Sequence, residues 1–144
     1  MESYLEFGID LTKFTIMMVD DVKVNNKLIE MILKPYHFNL IQVGSGAEAL
    51  DVFGQQTVDL ILLDLMMPDM SGVDVLKKLR SSDGPGKTVP VIVVSALNSE
   101  QDITEALAEG ANDFIIKPII RERLVCSVMT HIKLVEANRI IKNK

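Results

Sequence analysis

The chain has 144 residues, of which 48% are hydrophobic and 24% charged, with one cysteine and a net charge of −5. That is enough for one domain with a substantial core, and it excludes a disordered chain or a disulfide framework. No apolar run nears the roughly 18 residues of a membrane span, and no secretory signal opens the chain, so a cytoplasmic protein with no membrane partner is expected. The charge is uneven. Residues 1–120 carry nine basic against eighteen acidic side chains, and residues 121–144 carry six against two. An acidic body of this kind argues against direct nucleic-acid binding, which runs on phosphate neutralisation.

In residues 1–13, Leu5, Phe7, Ile9 and Leu11 alternate with Glu6, Gly8 and Asp10. This period of two suits an added edge strand or an arm on a neighbour, and a mobile terminus equally. Phe14–Val19 is a continuous apolar run, as expected of a strand buried on both faces. Leu28, Met31 and Ile32 then share the face of a helix that stops near Pro35. Phe38–Val43 reads as the second strand. Ala47, Leu50 and Phe53 follow Ser45, a predicted N-cap. Leu60–Leu63 is the third strand, and Val75, Leu76 and Leu79 form a helical face after Ser71-Gly72. Val91–Val94 follows the loop at Gly84-Pro85-Gly86. Ile103, Ala106 and Leu107 follow Asn98-Ser99, and Asp113–Ile116 is the fifth strand. From Ile119 to Lys142 there is neither Pro nor Gly, which predicts one long helix.

Strand and helix thus alternate five times, which predicts an α/β fold with a parallel sheet and right-handed crossovers. Residues 14–133 read as one domain, 1–13 as an N-terminal extension and 134–144 as a continuation of the last helix toward a partner or output region. Within that helix Val125, Val128, Ile132 and Val135 step by three, four and three. Such a seam predicts a weak homodimer, or else a tail packed on its own domain.

Ligands of open parallel sheets bind beyond the carboxyl ends of the strands. Here the first strand ends at Asp20-Asp21, the third at Asp64, the fourth at Ser95-Ala96 and the fifth at Lys117-Pro118. Three carboxylates at one edge repel one another and invite a hard divalent cation such as Mg²⁺. A carboxylate can attack a phosphoryl group, and a metal and a lysine can neutralise the charge that develops.

The motifs MMVDD at 17–21, LLDLMMPDMSG at 62–72, VVSA at 93–96 and GANDFIIKP at 110–118 resemble those of the response-regulator receiver family of two-component signalling. They match in type, order and spacing, over roughly residues 14–133. The resemblance implies a flavodoxin-like (βα)5 three-layer sandwich with strand order 2-1-3-4-5 and an extended C-terminal helix. It implies a bacterial phosphoacceptor switch rather than an enzyme, with a sensor histidine kinase or phosphotransfer protein as donor. By that resemblance Asp64 is the phosphoacceptor. Asp21 binds Mg²⁺ directly, Asp20 largely through water, and Met66 through its backbone carbonyl. Ser95 follows the phosphate, Phe114 is the aromatic switch, and Lys117 pairs with the phosphate before a commonly cis proline. A haloacid-dehalogenase-type phosphohydrolase would need an aspartate where Met66 stands. Cys126 reads as a small buried apolar residue.

Overall fold

A computed structural model describes residues 5–6 and 8–142, with side chains from residue 8 onward. A small antiparallel pair comes first, β1 (Leu5–Glu6) with β2 (Ile9–Asp10). The main sheet holds β3 (Thr15–Val19), β4 (Asn39–Val43), β5 (Leu60–Leu63), β6 (Val91–Ser95) and β7 (Asp113–Ile116). All its pairings are parallel, in the order β4-β3-β5-β6-β7. Counted within that sheet the order is 2-1-3-4-5, the flavodoxin-like layout expected from the sequence.

Two helical layers cover the sheet. Because successive strand residues point to opposite faces, each apolar run divides between two cores. Ile16, Met18, Leu60, Leu62, Ile92 and Val94 face the layer of α1 (Lys23–Leu33) and α5 (Arg121–Lys142). Met17, Val19, Ile61, Leu63, Val91 and Val93 face the layer of α2 (Gly46–Gln55), α3 (Gly72–Ser81) and α4 (Glu100–Ala108). A run with no polar alternation is therefore what a strand between two layers requires.

Local signals set the helix starts. The hydroxyls of Ser45, Ser71 and Ser99 accept from the N–H groups of Glu48, Asp74 and Asp102, and the Ser71 N–H donates in turn to the Asp74 carboxylate. Each cap satisfies an otherwise unpaired N–H of the first turn. The face of α3 is the expected one, with Val75, Leu76 and Leu79 buried. Three other faces match expectation only in part. In α1 the buried residues are Asn26, Ile29, Ile32 and Leu33, while Leu28 and Met31 are exposed. In α2 Leu50 and Phe53 pack on the core as expected but Ala49 is buried in place of Ala47, and in α4 Ala106 is buried as expected while Leu107 is exposed. Several apolar periodicities coexist in these segments, and only docking selects the one that faces the sheet.

The N-terminal segment departs further from expectation. The N-terminal strand joins no edge of the main sheet but pairs with its own hairpin partner. Ile9 and Leu11 nevertheless enter the α1/α5 core, with Leu11 wholly inaccessible. Phe7 and the side chain of Leu5 lie outside the described residues. In α5 the apolar seam packs on its own domain, the second of the two arrangements expected for it. Val128 and Ile132 are fully buried in the α1/α5 core, and Val125 and Val135 pack against it. Val128 and Ile132 are thus committed to this core. Beyond them Arg139 pairs with the buried Asp59 carboxylate and stacks 4.5 Å over the Phe14 ring. This contact fastens the end of α5 to the N-terminal ends of β3 and β5. Cys126 is exposed on α5 rather than buried.

Candidate functional site

Strand register brings the chemistry together. Val19 lies opposite both Val43 and Leu63, and Leu63 lies opposite Val93. The residues just beyond these strand ends continue the alignment. The Asp64 N–H donates to the Val19 carbonyl at 3.0 Å and the Asp20 N–H to that of Val43 at 3.2 Å. The Lys117 N–H donates to Ser95 O at 2.9 Å. Asp20, Asp64, Ser95 and Lys117 are thereby fixed by ladder bonds rather than by flexible loops.

Asp20 and Asp64 are buried and Asp21 is exposed, and one carboxylate oxygen from each lies within 4.8 Å of the other two. Lys117 Nζ bridges the buried pair, 2.9 Å from Asp20 Oδ2 and 3.5 Å from Asp64 Oδ2. Asp64 Oδ1 accepts from the Met66 N–H at 3.2 Å, and Asp20 Oδ1 from the Val22 N–H at 2.9 Å. Ser95 is fully buried and its Oγ accepts from the Leu97 N–H at 3.3 Å. Phe114 is half-buried against the α2/α3/α4 core, and Met66 is exposed. The Lys117-Pro118 peptide is cis.

Burial pushes the Asp64 carboxyl above the ordinary carboxylate range. Lys117 and the Met66 N–H oppose this, the Asp20 charge adds to it, and the Ser95 hydroxyl opposes it again. Burial outweighs the favourable contacts, so desolvation is what raises the cost of the ionised Asp64 carboxylate. The donor set is all oxygen, and the exposed Asp21 leaves room for water. Those properties fit Mg²⁺, which prefers oxygen ligands and keeps several waters.

Every site residue expected from the strand ends is found at this edge. Two further residues were not anticipated. Asn26, on the buried face of α1, donates through Nδ2 to Asp20 O at 3.2 Å and to Val43 O at 3.1 Å. An isolated asparagine in a helix gives no sequence signal for such a role. Gly72 opens α3, and a Cβ there would stand 2.3 Å from the Asp64 carbonyl oxygen and 2.7 Å from Leu65 Cα. The Ser71-Gly72 pair marks the helix start in sequence, but not this close approach to the Asp64 backbone.

Comparison with known proteins agrees with this geometry. The family model described as a response regulator receiver domain matches residues 16–129. A rice (Oryza sativa subsp. japonica) two-component response regulator, ORR7, is 37% identical over 72% of this chain and 50% of its own length. MtrA of Mycolicibacterium smegmatis, named a DNA-binding response regulator, is 32% identical over 86% of this chain and 53% of its own. Among solved structures, the CheX-CheY-BeF3-Mg complex from Borrelia burgdorferi superposes with a TM-score of 0.75 at 32% identity. It covers 81% of this chain and 87% of that one. The chain spans about half the length of the curated relatives it matches. The expectation of no nucleic-acid contact therefore does not extend to such full-length relatives, since MtrA is named for DNA binding.

Proposed function

Because this chain belongs to the response regulator receiver domain family, we propose that Asp64 accepts a phosphoryl group from the phosphohistidine of a sensor histidine kinase or phosphotransfer protein. The observation that carries this reading is the convergence of Asp20, Asp21, Asp64 and Lys117 at neighbouring strand ends. An oxygen of Asp64 forms the new bond to phosphorus while the phosphorus–nitrogen bond breaks, and the histidine nitrogen keeps the electron pair. Asp21, Asp64 and the Met66 backbone carbonyl would hold Mg²⁺, with Asp20 supporting it largely through water, and the ion would offset charge on the transferring oxygens.

The chain's own residues do the rest. Ladder bonds hold Asp64 in place for in-line attack, and the Met66 N–H occupies its Oδ1. Lys117 turns from the carboxylates toward the phosphoryl oxygens as the charge at Asp64 grows from −1 to nearly −2. The Ser95 hydroxyl donates to a phosphoryl oxygen, and Phe114 moves inward behind it, reshaping the surface of α4 and β7. A bias of a few kcal/mol suffices for this change of population. The chain is thus a phosphoacceptor switch that loses its phosphoryl group slowly to water. Its output lies in a partner or in an output region outside these residues.

Intact-mass measurement after incubation with acetyl phosphate tests the assignment. One added phosphoryl group is expected in wild type with Mg²⁺, and none without Mg²⁺ or in Asp64→Asn. Equal labelling of that variant would overturn it.

A further inference from the structure

The Asn26 side chain is 96% buried, and its orientation is fixed by chemistry. Both of its partners, the carbonyls of Asp20 and Val43, are acceptors, so only the NH₂ end can serve them. The same carbonyl of Val43 also accepts the Asp20 N–H. Asn26 therefore adds side-chain ties between the loop bearing Asp20 and Asp21 and the end of β4, beside the single backbone bond from Asp20 to Val43. Its Oδ1 is buried and has no hydrogen-bond partner. A helix position needed only for packing is served better by an apolar side chain of similar size, because an orphaned buried acceptor is unfavourable. The polar group has to be explained by what it holds.

We propose that Asn26 is a positioning residue for the cation site, holding the Asp20-Asp21 loop in ligating geometry. The proposal rests on the reading of the carboxylate cluster as a Mg²⁺ seat. It assigns to α1 a supporting role that the carboxylates cannot fill themselves, because like charges push the loop away from Asp64 when the ion is absent.

Calorimetric titration of the intact chain with Mg²⁺, paired with thermal melts in metal-free buffer, separates this role from simple packing. Asn26→Leu removes both donated bonds and the orphaned acceptor, so the melt stays cooperative while Mg²⁺ binds about ten-fold more weakly, as for loss of other supporting partners of metal ligands. Asn26→Ser, which keeps one hydroxyl donor, falls between Leu and wild type. In unmodified protein, the NMR signals of the Asn26 side-chain amide shift during the same titration. Wild-type affinity in a folded Asn26→Leu, or an amide signal that Mg²⁺ leaves unmoved, overturns the proposal even if the variants prove unstable. Asp21→Asn serves as the control. If it binds Mg²⁺ as well as wild type does, the seat itself is misassigned and the proposal falls with it. If it loses binding while both Asn26 variants keep it, only the role of Asn26 is refuted.

Discussion

Replacing Lys117 by methionine isolates the electrostatic tension at the site. At an effective dielectric near 20, contacts of 2.9 and 3.5 Å correspond to about 6 and 5 kcal/mol of attraction to Asp20 and Asp64. Much of that is offset by burying the ammonium, whose side chain is only 17% exposed. Without Lys117 the two buried carboxylates, with oxygens within 4.8 Å of each other, stand uncompensated, a repulsion of about 3.5 kcal/mol at the outer limit of that separation. The net expectation for Lys117→Met in metal-free buffer is a loss of about 3 kcal/mol, the low end for removing one partner of a buried pair. At about 3 °C per kcal/mol for a domain of this size, the melting temperature falls by about 9 °C.

The pH dependence has a definite sign. Asp64 in the folded state titrates above 3.8, its ordinary value, so ionisation favours the unfolded chain as pH rises through and beyond that range. Lys117 is one of the contributions that restrain this rise, and its removal enlarges it. The deficit of Lys117→Met is therefore greatest near neutral pH and shrinks as pH falls toward 3.8. Added Mg²⁺ narrows it as well. Thermal melts at about pH 4.5 and pH 7.5 decide the matter. An equal deficit at both pH values, unaffected by Mg²⁺, would mean that Lys117 acts through packing rather than charge.

Three further predictions follow from contacts away from the ion pair. Gly72→Ala places a Cβ 2.3 Å from the Asp64 carbonyl, backbone against side chain, so a loss of about 2 kcal/mol is expected together with slower labelling by acetyl phosphate. Denaturant melts and intact-mass time courses measure both. Arg139→Ala leaves the Asp59 carboxylate buried with the Thr15 N–H as its remaining hydrogen-bond donor at 2.7 Å, and about 2 kcal/mol should be lost. A double cycle with Asp59→Asn should be clearly less than additive. Burial pushes Asp113 up, but bonds from Arg123, Ser127 and the Phe114 N–H outweigh it and hold this carboxyl below its ordinary 3.8. Its contribution is present above that pH and lost as pH falls through the lower folded value. Asp113→Asn should thus cost about 1 kcal/mol at neutral pH, and the penalty should vanish in acid melts.

The sheet and the site were legible in the linear sequence for the same reason. A strand sealed between two helical layers must be apolar at every position, so FTIMMV, LILL and VIVV announce themselves, and the first polar residue after each marks the strand end. In a parallel sheet those ends lie on one edge, which places Asp20, Asp64, Ser95 and Lys117 together without any knowledge of distances. Helix starts were legible too, since Ser45, Ser71 and Ser99 cap through bonds to residues only three positions away. Helix faces were less so. Val24, Leu28 and Met31 form as regular an apolar row on α1 as Ile29, Ile32 and Leu33, and only docking on the sheet buries the second row. The seam on α5 shows the same ambiguity, because a three-four spacing describes equally a helix seeking a partner and one packed on its own domain. Arg139 finds Asp59 across 80 positions of sequence and Asn26 finds the Val43 carbonyl across 17. Such pairings depend on where the crossovers deliver each helix, and no local pattern of residues encodes that.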